Sequence, residues 1–295
     1  MKGVVLASRV LLALALAPPP PASSAMAIVG AAERFAPGIA STGYDEIRLT
    51  LSPDGRTALW FSRNRPGGPG GYDIWMSRLQ GDHWSPATPV PFNTPGRDFD
   101  PAFSADGHFV FFCSDRPGGL GGDDLYRVAV DRSGRFGPVE NLGPAVNSRA
   151  DEFAPMLSPD GGTLLFSSDR RGGKGGHDLY AAAMRAGRLQ PAQALAGSIN
   201  TPAQEFDATF LADGRTVVFA RARDFATAPV RLYVAGGHDG RYGAGTRLAS
   251  PLNEAGGDSY GAMLDGSRHD VLTYSARRTG GSMDLYRVRY RLHGR

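Results

Sequence analysis

One phrase of roughly 50 residues is written five times along this chain, and that repetition limits what it can fold into more than any other feature. An Asp-Gly pair marks each copy, at Asp54-Gly55, Asp106-Gly107, Asp160-Gly161, Asp213-Gly214 and Asp265-Gly266. The intervals between markers are 52, 54, 53 and 52 residues. Inside a copy, short apolar runs alternate with turn signals, as antiparallel strands do. In the second copy, Phe99 to Ser104 reads as a first strand and Asp106-Gly107 as a tight turn. Phe109 to Ser114 is a second strand and Asp124 to Val128 a third, and Gly134 to Leu142 opens and carries a fourth. Four short strands per repeat of this length predict a blade of a β-propeller.

The ends of the chain bear on ring closure. The fifth copy reaches its third strand at Asp284-Leu285-Tyr286 and stops near Arg295, without a fourth. Ahead of the first copy, Glu33-Arg34-Phe35-Ala36-Pro37-Gly38 matches the fourth-strand phrase Gly134-Arg135-Phe136-Gly137-Pro138. The expectation is an all-β, five-bladed propeller of four-stranded antiparallel blades, closed by an N-terminal strand that completes the last blade. Closure of this kind removes sheet edges that would otherwise template aggregation.

Residues 1–27 have the layout of a secretory signal: Lys2 and Arg9, the apolar run Val10 to Ala17, then an Ala-x-Ala-like site at Ala25-Met26-Ala27. The run falls short of the about 20 apolar residues a membrane span needs, so a cleaved signal and a single domain over residues 28–295 are expected, with no stable membrane insertion. Loss of Lys2 and Arg9 lowers the formal net charge from +3 to +1. The basic residues are interspersed with acidic ones, which gives no basic stripe for nucleic acid. Cys113 is the sole cysteine, sits in Phe109-Val110-Phe111-Phe112-Cys113, and reads as a small buried hydrophobe.

The phrases Ser158-Pro159-Asp160-Gly161, Ser168-Asp169-Arg170-Arg171-Gly172-Gly173-Lys174-Gly175-Gly176 and Asp178-Leu179-Tyr180 resemble the WD-related repeat of TolB-type propellers. The likeness spans about residues 33 to 295. It implies the fold and an exported, periplasmic or cell-surface setting; five units without a further α/β domain depart from the Tol-Pal translocation protein itself.

Alignment on the Asp-Gly marker exposes an acidic series. Glu46, Asp98, Glu152 and Glu205 stand eight residues before their markers, and in the fifth copy Asp258 lies beside that position. Two residues further in, Asp100 and Asp207 recur where the first copy has Arg48. First strands line the channel of a propeller, so these seven acids are candidates for a ring at its mouth that would bind a basic peptide by focused negative potential. The competing role is structural, with pairing to Arg116 and Arg170. Asp73, Asp124, Asp178 and Asp284 precede third strands and suggest bonding between blades. In the fourth copy the Gly-Gly connection is replaced by Asp224-Phe225-Ala226-Thr227-Ala228-Pro229, a distinct surface loop.

Signals for catalysis are sparse. The histidines form no metal-ligand spacing and no Gly-x-Ser-x-Gly elbow occurs, so no catalytic residue, metal or cofactor is assigned. The expected function is a monomeric binding module for an envelope protein or peptide segment. The alternative is a glycan- or peptide-processing enzyme using channel-mouth carboxylates.

Overall fold

The computed structural model describes residues 26–278 and 281–293. The apolar run and most of the expected signal segment lie outside the described residues. Every regular element described is a strand, and no helix is long and apolar enough to cross a membrane.

Each repeat folds into an antiparallel sheet in the order of its strands. The inner strands are Asp45–Leu51, Asp98–Phe103, Glu152–Leu157, Gln204–Phe210 and Ser259–Leu264. Each packs against the next, and the last returns to the first, so the five enclose a central axis. The architecture is an all-β propeller. The repeat count predicts five blades, and this count is off: the described residues form six sheets. The sixth is small: Ala196–Gly197 runs parallel to Arg241–Tyr242, which pairs with Gly237–His238. Equivalent hairpins in repeats one and three simply extend their third strands, as His83–Trp84 does on Tyr72–Gln80. In repeat four, Gly236-Gly237 interrupts the strand Arg231–Ala235, and the hairpin becomes a sheet of its own.

Ring closure is made by Met26–Arg34, which pairs antiparallel with Met283–Leu292, Met26 facing Leu292 and Arg34 facing Tyr286, with a register shift between Val29 and Glu33. The closing strand lies a few residues earlier than the Glu33–Ala40 segment that the repeat phrase suggests. Its first described residue is Met26.

The core between sheets is aromatic and periodic. Phe112 stacks on Tyr126 at 5.9 Å, Phe166 on Tyr180 at 6.0 Å, Phe219 on Tyr233 at 5.9 Å and Tyr274 on Tyr286 at 5.4 Å. Repeat one carries Trp60 opposite Trp75 at the same place. Such rings bring large apolar area and pair energies of about 0.5–1.5 kcal/mol each beyond it. Cys113 is fully buried and accepts a hydrogen bond from the Ala154 amide at 3.2 Å; burial pushes its thiol pKa well above the ordinary value.

Every inner strand contains a bulge at the same point. The register breaks after Ile47, Phe99, Phe153, Phe206 and Tyr260. The next residue has a positive φ: Arg48 56°, Asp100 53°, Ala154 56°, Asp207 49° and Gly261 65°. Only Gly261 adopts this without steric cost; the other four are strained positions of the kind that cluster at functional sites. A bulge bends the strand and re-aims side chains, and here it does so five times around one axis.

Candidate functional site in the channel mouth

Four of the acids expected at the channel mouth are scaffold. Glu46, Asp98, Glu152 and Glu205 are all fully buried. Each carboxylate accepts from the backbone N–H and the hydroxyl of a Thr or Ser four residues earlier. The pairs are Thr42 with Glu46, Thr94 with Asp98, Ser148 with Glu152 and Thr201 with Glu205. An arginine then closes the latch: Arg65 at 3.8 Å, Arg116 at 2.6 Å, Arg170 at 3.0 Å and Arg221 at 2.6 Å. These guanidinium groups lie over the aromatic pairs, for instance Arg170 at 4.7 Å from the Tyr180 ring centroid and Arg221 at 4.7 Å from that of Tyr233. A carboxylate so buried and so held is closed to a ligand in the channel. The weakest latch is the first, where burial outweighs Thr42 and Arg65 and pushes Glu46 up to about 7.

The fifth repeat explains the misplacement of Asp258. Strand pairing sets Ser259, opposite Ala276, where Glu46 stands opposite Ser62. The Asp265-Gly266 marker is therefore offset by two residues, and Asp265 fills the place of Ser52, accepting from the Ser267 amide at 2.9 Å and pairing with Arg287 at 2.7 Å. Asp258 accepts from the Val230 amide at 3.0 Å, just as Asp151 accepts from the Asp123 amide at 2.9 Å, and so clasps neighbouring sheets. Asp73, Asp124 and Asp178 act within a sheet rather than between sheets. They accept from the amides of Gly70, of Leu120 and Gly121, and of Lys174 and Gly175, and so hold their own Gly-rich hairpins.

Asp100 and Asp207 are different, because the bulges carry them to the wall of a cavity of about 190 Å³ at one end of the channel. They are buried, with 3% and 4% of their surface exposed. Arg48 from the first repeat lies between them, fully buried, with Nε 3.7 Å from Asp100 Oδ1 and Nη1 3.5 Å from Asp207 Oδ1. Its Nη2 donates to the Pro155 carbonyl at 3.0 Å. Nε and Nη1 have no hydrogen-bond partner, being at ion-pair rather than hydrogen-bond distance from the carboxylates. Asp207 also accepts from the Gly261 amide at 3.0 Å. Burial, and then the charge of Asp207, drive the Asp100 pKa well above the usual carboxylate range against the pull of Arg48. Burial raises Asp207 too, with Arg48 the largest opposing influence.

The walls above this floor are aromatic. On one side Phe61, Tyr72 and Phe99 touch one another at centroid distances of 5.7 to 5.8 Å. On the other, Phe153 meets His177 at 5.1 Å and Phe206 at 6.4 Å. Phe225, from the loop peculiar to repeat four, sits edge-on to Phe206 at 5.2 Å and is 47% exposed. Tyr260 and Ile47 complete the apolar lining. The remaining charges already face partners: Arg97 pairs with Asp123 at 2.9 Å, and Arg63 lies over the Tyr72 ring at 5.1 Å. Burial lifts Asp123 to about 7 despite Arg97. Among the described residues, no group of three or more His, Cys, Asp or Glu is disposed to hold a metal ion.

Comparison with known proteins yields no matching family model and no match among curated sequences. Solved structures share the fold. An endo-arabinase from Bacteroides thetaiotaomicron superposes with a TM-score of 0.58 at 15% identity, over 87% of this chain and 97% of that one. A candidate TolB from Agrobacterium tumefaciens gives 0.50 at 17% identity, over 84% of each chain. TolB from Acinetobacter baumannii gives 0.48 at 16% identity over 83% of this chain, which spans 54% of that protein's length. The propeller is thus shared with the endo-arabinase and the candidate TolB, and at these identities the likeness is one of fold.

Proposed function

We propose that this chain is an exported ligand-recognition propeller of the cell envelope, whose binding site is the aromatic pocket at the channel mouth. One observation carries the reading. Five repeats that are otherwise alike carry four residue types at the bulge, Arg48, Asp100, Ala154, Asp207 and Gly261, and only Asp100 and Asp207 line the cavity, so the pocket is asymmetric on a symmetric scaffold. A scaffold ring has no use for that divergence at strained positions, whereas a specific site does. The charged start and short apolar run ahead of residue 26 support export, and the envelope partner is the molecule whose end group enters the pocket. At about 190 Å³ the cavity lies below the ~300–1,000 Å³ typical of drug-sized ligands, so it accepts one ring-sized group rather than an extended chain.

A hydrolytic reading has one specific observation in its favour. Asp100 and Asp207 both face the pocket and are held in unequal environments, as an acid and base pair requires. Arg48 between them weighs against it, since it ties both carboxylates to a fixed charge. The test is ligand-observed NMR with short peptides and glycan fragments from envelope material, using the full chain and its Phe153→Ala and Phe225→Ala variants. A bound-ligand signal that disappears in both variants supports the pocket; fragments that bind equally to all three proteins would exclude it. Release of a cleaved product from any fragment during the same measurement would transfer the assignment to the enzyme.

A further inference from the structure

Resting on the pocket reading, the chemistry of the lining selects a ligand class. We propose that the pocket takes a single neutral sugar residue, with Asp100 and Asp207 gripping ring hydroxyls while the aromatic walls pack against its C–H faces.

Charge balance comes first. Around the cavity stand Asp100, Asp123, Asp151 and Asp207 against Arg63 and Arg97 at the wall and Arg48 beneath the floor. Asp123 is taken by Arg97 at 2.9 Å, and both floor carboxylates face Arg48. Asp151 is held by the Asp123 amide at 2.9 Å and Arg63 lies over the Tyr72 ring at 5.1 Å; a charge seated on the floor would have to compete with Arg48 for Asp100 and Asp207, and burying one unpaired is costly. A neutral hydroxylated ring meets no such penalty.

Hydrogen-bonding capacity comes second. Asp207 accepts from Gly261 on one oxygen and faces Arg48 with the other, at a distance that leaves room for a hydroxyl on its pocket side. Arg48 is wholly buried with two donors unused. Strong donors are seldom left so, and these hold the two carboxylates apart and oriented across three repeats. Arg48 is a positioning residue, since its atoms do not line the cavity. Asp100 Oδ1 stands 3.7 Å from Arg48 Nε, so its carboxyl keeps acceptor capacity toward the cavity, and a sugar hydroxyl is a donor that answers it.

The walls come third. Phe61, Tyr72 and Phe99 face Phe153, Phe206 and Phe225 across the cavity, a slot that receives a flat ring with apolar faces and a polar edge. Phe225 is the exposed member and so sets the entrance.

The experiment uses the full chain and a panel of neutral aldoses (L-arabinose, D-glucose, D-galactose and D-mannose). Charged counterparts of the same rings, D-glucosamine, D-galactosamine, D-glucuronate and D-galacturonate, complete it, together with a Lys-containing tripeptide. Binding is measured by saturation-transfer NMR and titration calorimetry. The expected result is binding of at least one neutral aldose, with its amino and acid counterparts weaker by about tenfold or more, since each lost hydrogen bond to a buried polar group leaves that group unpaired. Asp100→Asn and Phe225→Ala each weaken the neutral sugar about tenfold. Phe225→Ala is a surface change that preserves folding. Arg48→Met alters the pH profile of sugar binding, whereas a purely structural arginine would change only stability. Tighter binding of an amino or acid sugar, or of no sugar, overturns the assignment. Peptide binding lost in Phe225→Ala would then leave the pocket itself standing, and binding of neither would remove both.

Discussion

Replacement of Glu152 by Ala tests the division between scaffold and site most sharply at the level of stability. The Glu152 carboxylate accepts from the Ser148 amide, the Ser148 hydroxyl and the Ser168 hydroxyl, each at 2.7 Å, and pairs with Arg170 at 3.0 Å. Alanine removes all four interactions at a fully buried position. Arg170 keeps its bond to the Val146 carbonyl and its place over Phe166 and Tyr180, so part of its desolvation is still offset. Removal of one member of a buried pair costs about 3–5 kcal/mol, a large share of the roughly 5–15 kcal/mol that holds a domain folded. Glu152→Gln keeps the shape and one acceptor, and its cost is about 1–2 kcal/mol. Guanidinium unfolding followed by tryptophan fluorescence reads both, with the slope checked for constancy. An alanine variant within about 0.5 kcal/mol of the parent, the range of an ordinary surface change, would refute the latch and restore Glu152 as a free carboxylate.

Three further outcomes are expected. Asp123 titrates near 7 when folded and near its ordinary 3.8 when unfolded, so the native state holds the extra proton between these values. Stability is greatest below about pH 4 as far as this group is concerned and falls as pH rises through 7; urea midpoints at pH 5 and pH 8 should differ less in Asp123→Asn than in the parent. Cys113, buried and with its thiol pKa pushed up, should resist a thiol reagent in the native protein and react fully once unfolded; rapid native labelling would contradict the packing. Deletion of residues up to Arg34 should expose the edge of Met283–Leu292 and produce concentration-dependent aggregation by light scattering, which a merely appended segment would not do.

The propeller was legible because its signals are local. Asp106-Gly107 and Gly118-Gly119 dictate turns, and alternating runs such as Phe109 to Ser114 dictate strands. The strand Phe109–Ser114 has its expected bounds. The sixth sheet was not legible, because two-residue strands such as Ala196–Gly197 carry no pattern. The acidic series was visible as a series, but its meaning lay in the Thr or Ser four residues earlier, a spacing present in Thr42 to Glu46 and Thr201 to Glu205. The pocket was hidden for a geometric reason. Strict alternation assigns successive residues to opposite faces, yet the bulge puts both Phe99 and Asp100, and both Phe206 and Asp207, on the cavity wall. The distinct loop of repeat four was visible as a departure, and Phe225 is where that departure meets the site.

Asp100 and Asp207 at their bulges line the site, and latch acids hold the scaffold. That division is decided by the affinity of the folded protein for its strongest ligand from the aldose panel, compared among the parent, Asp100→Asn and Glu152→Gln. The expected result is a loss of about tenfold or more in Asp100→Asn with unchanged stability or better, and near-parental affinity in Glu152→Gln despite its lower stability. Affinity lost in Glu152→Gln and kept in Asp100→Asn would reverse the two roles.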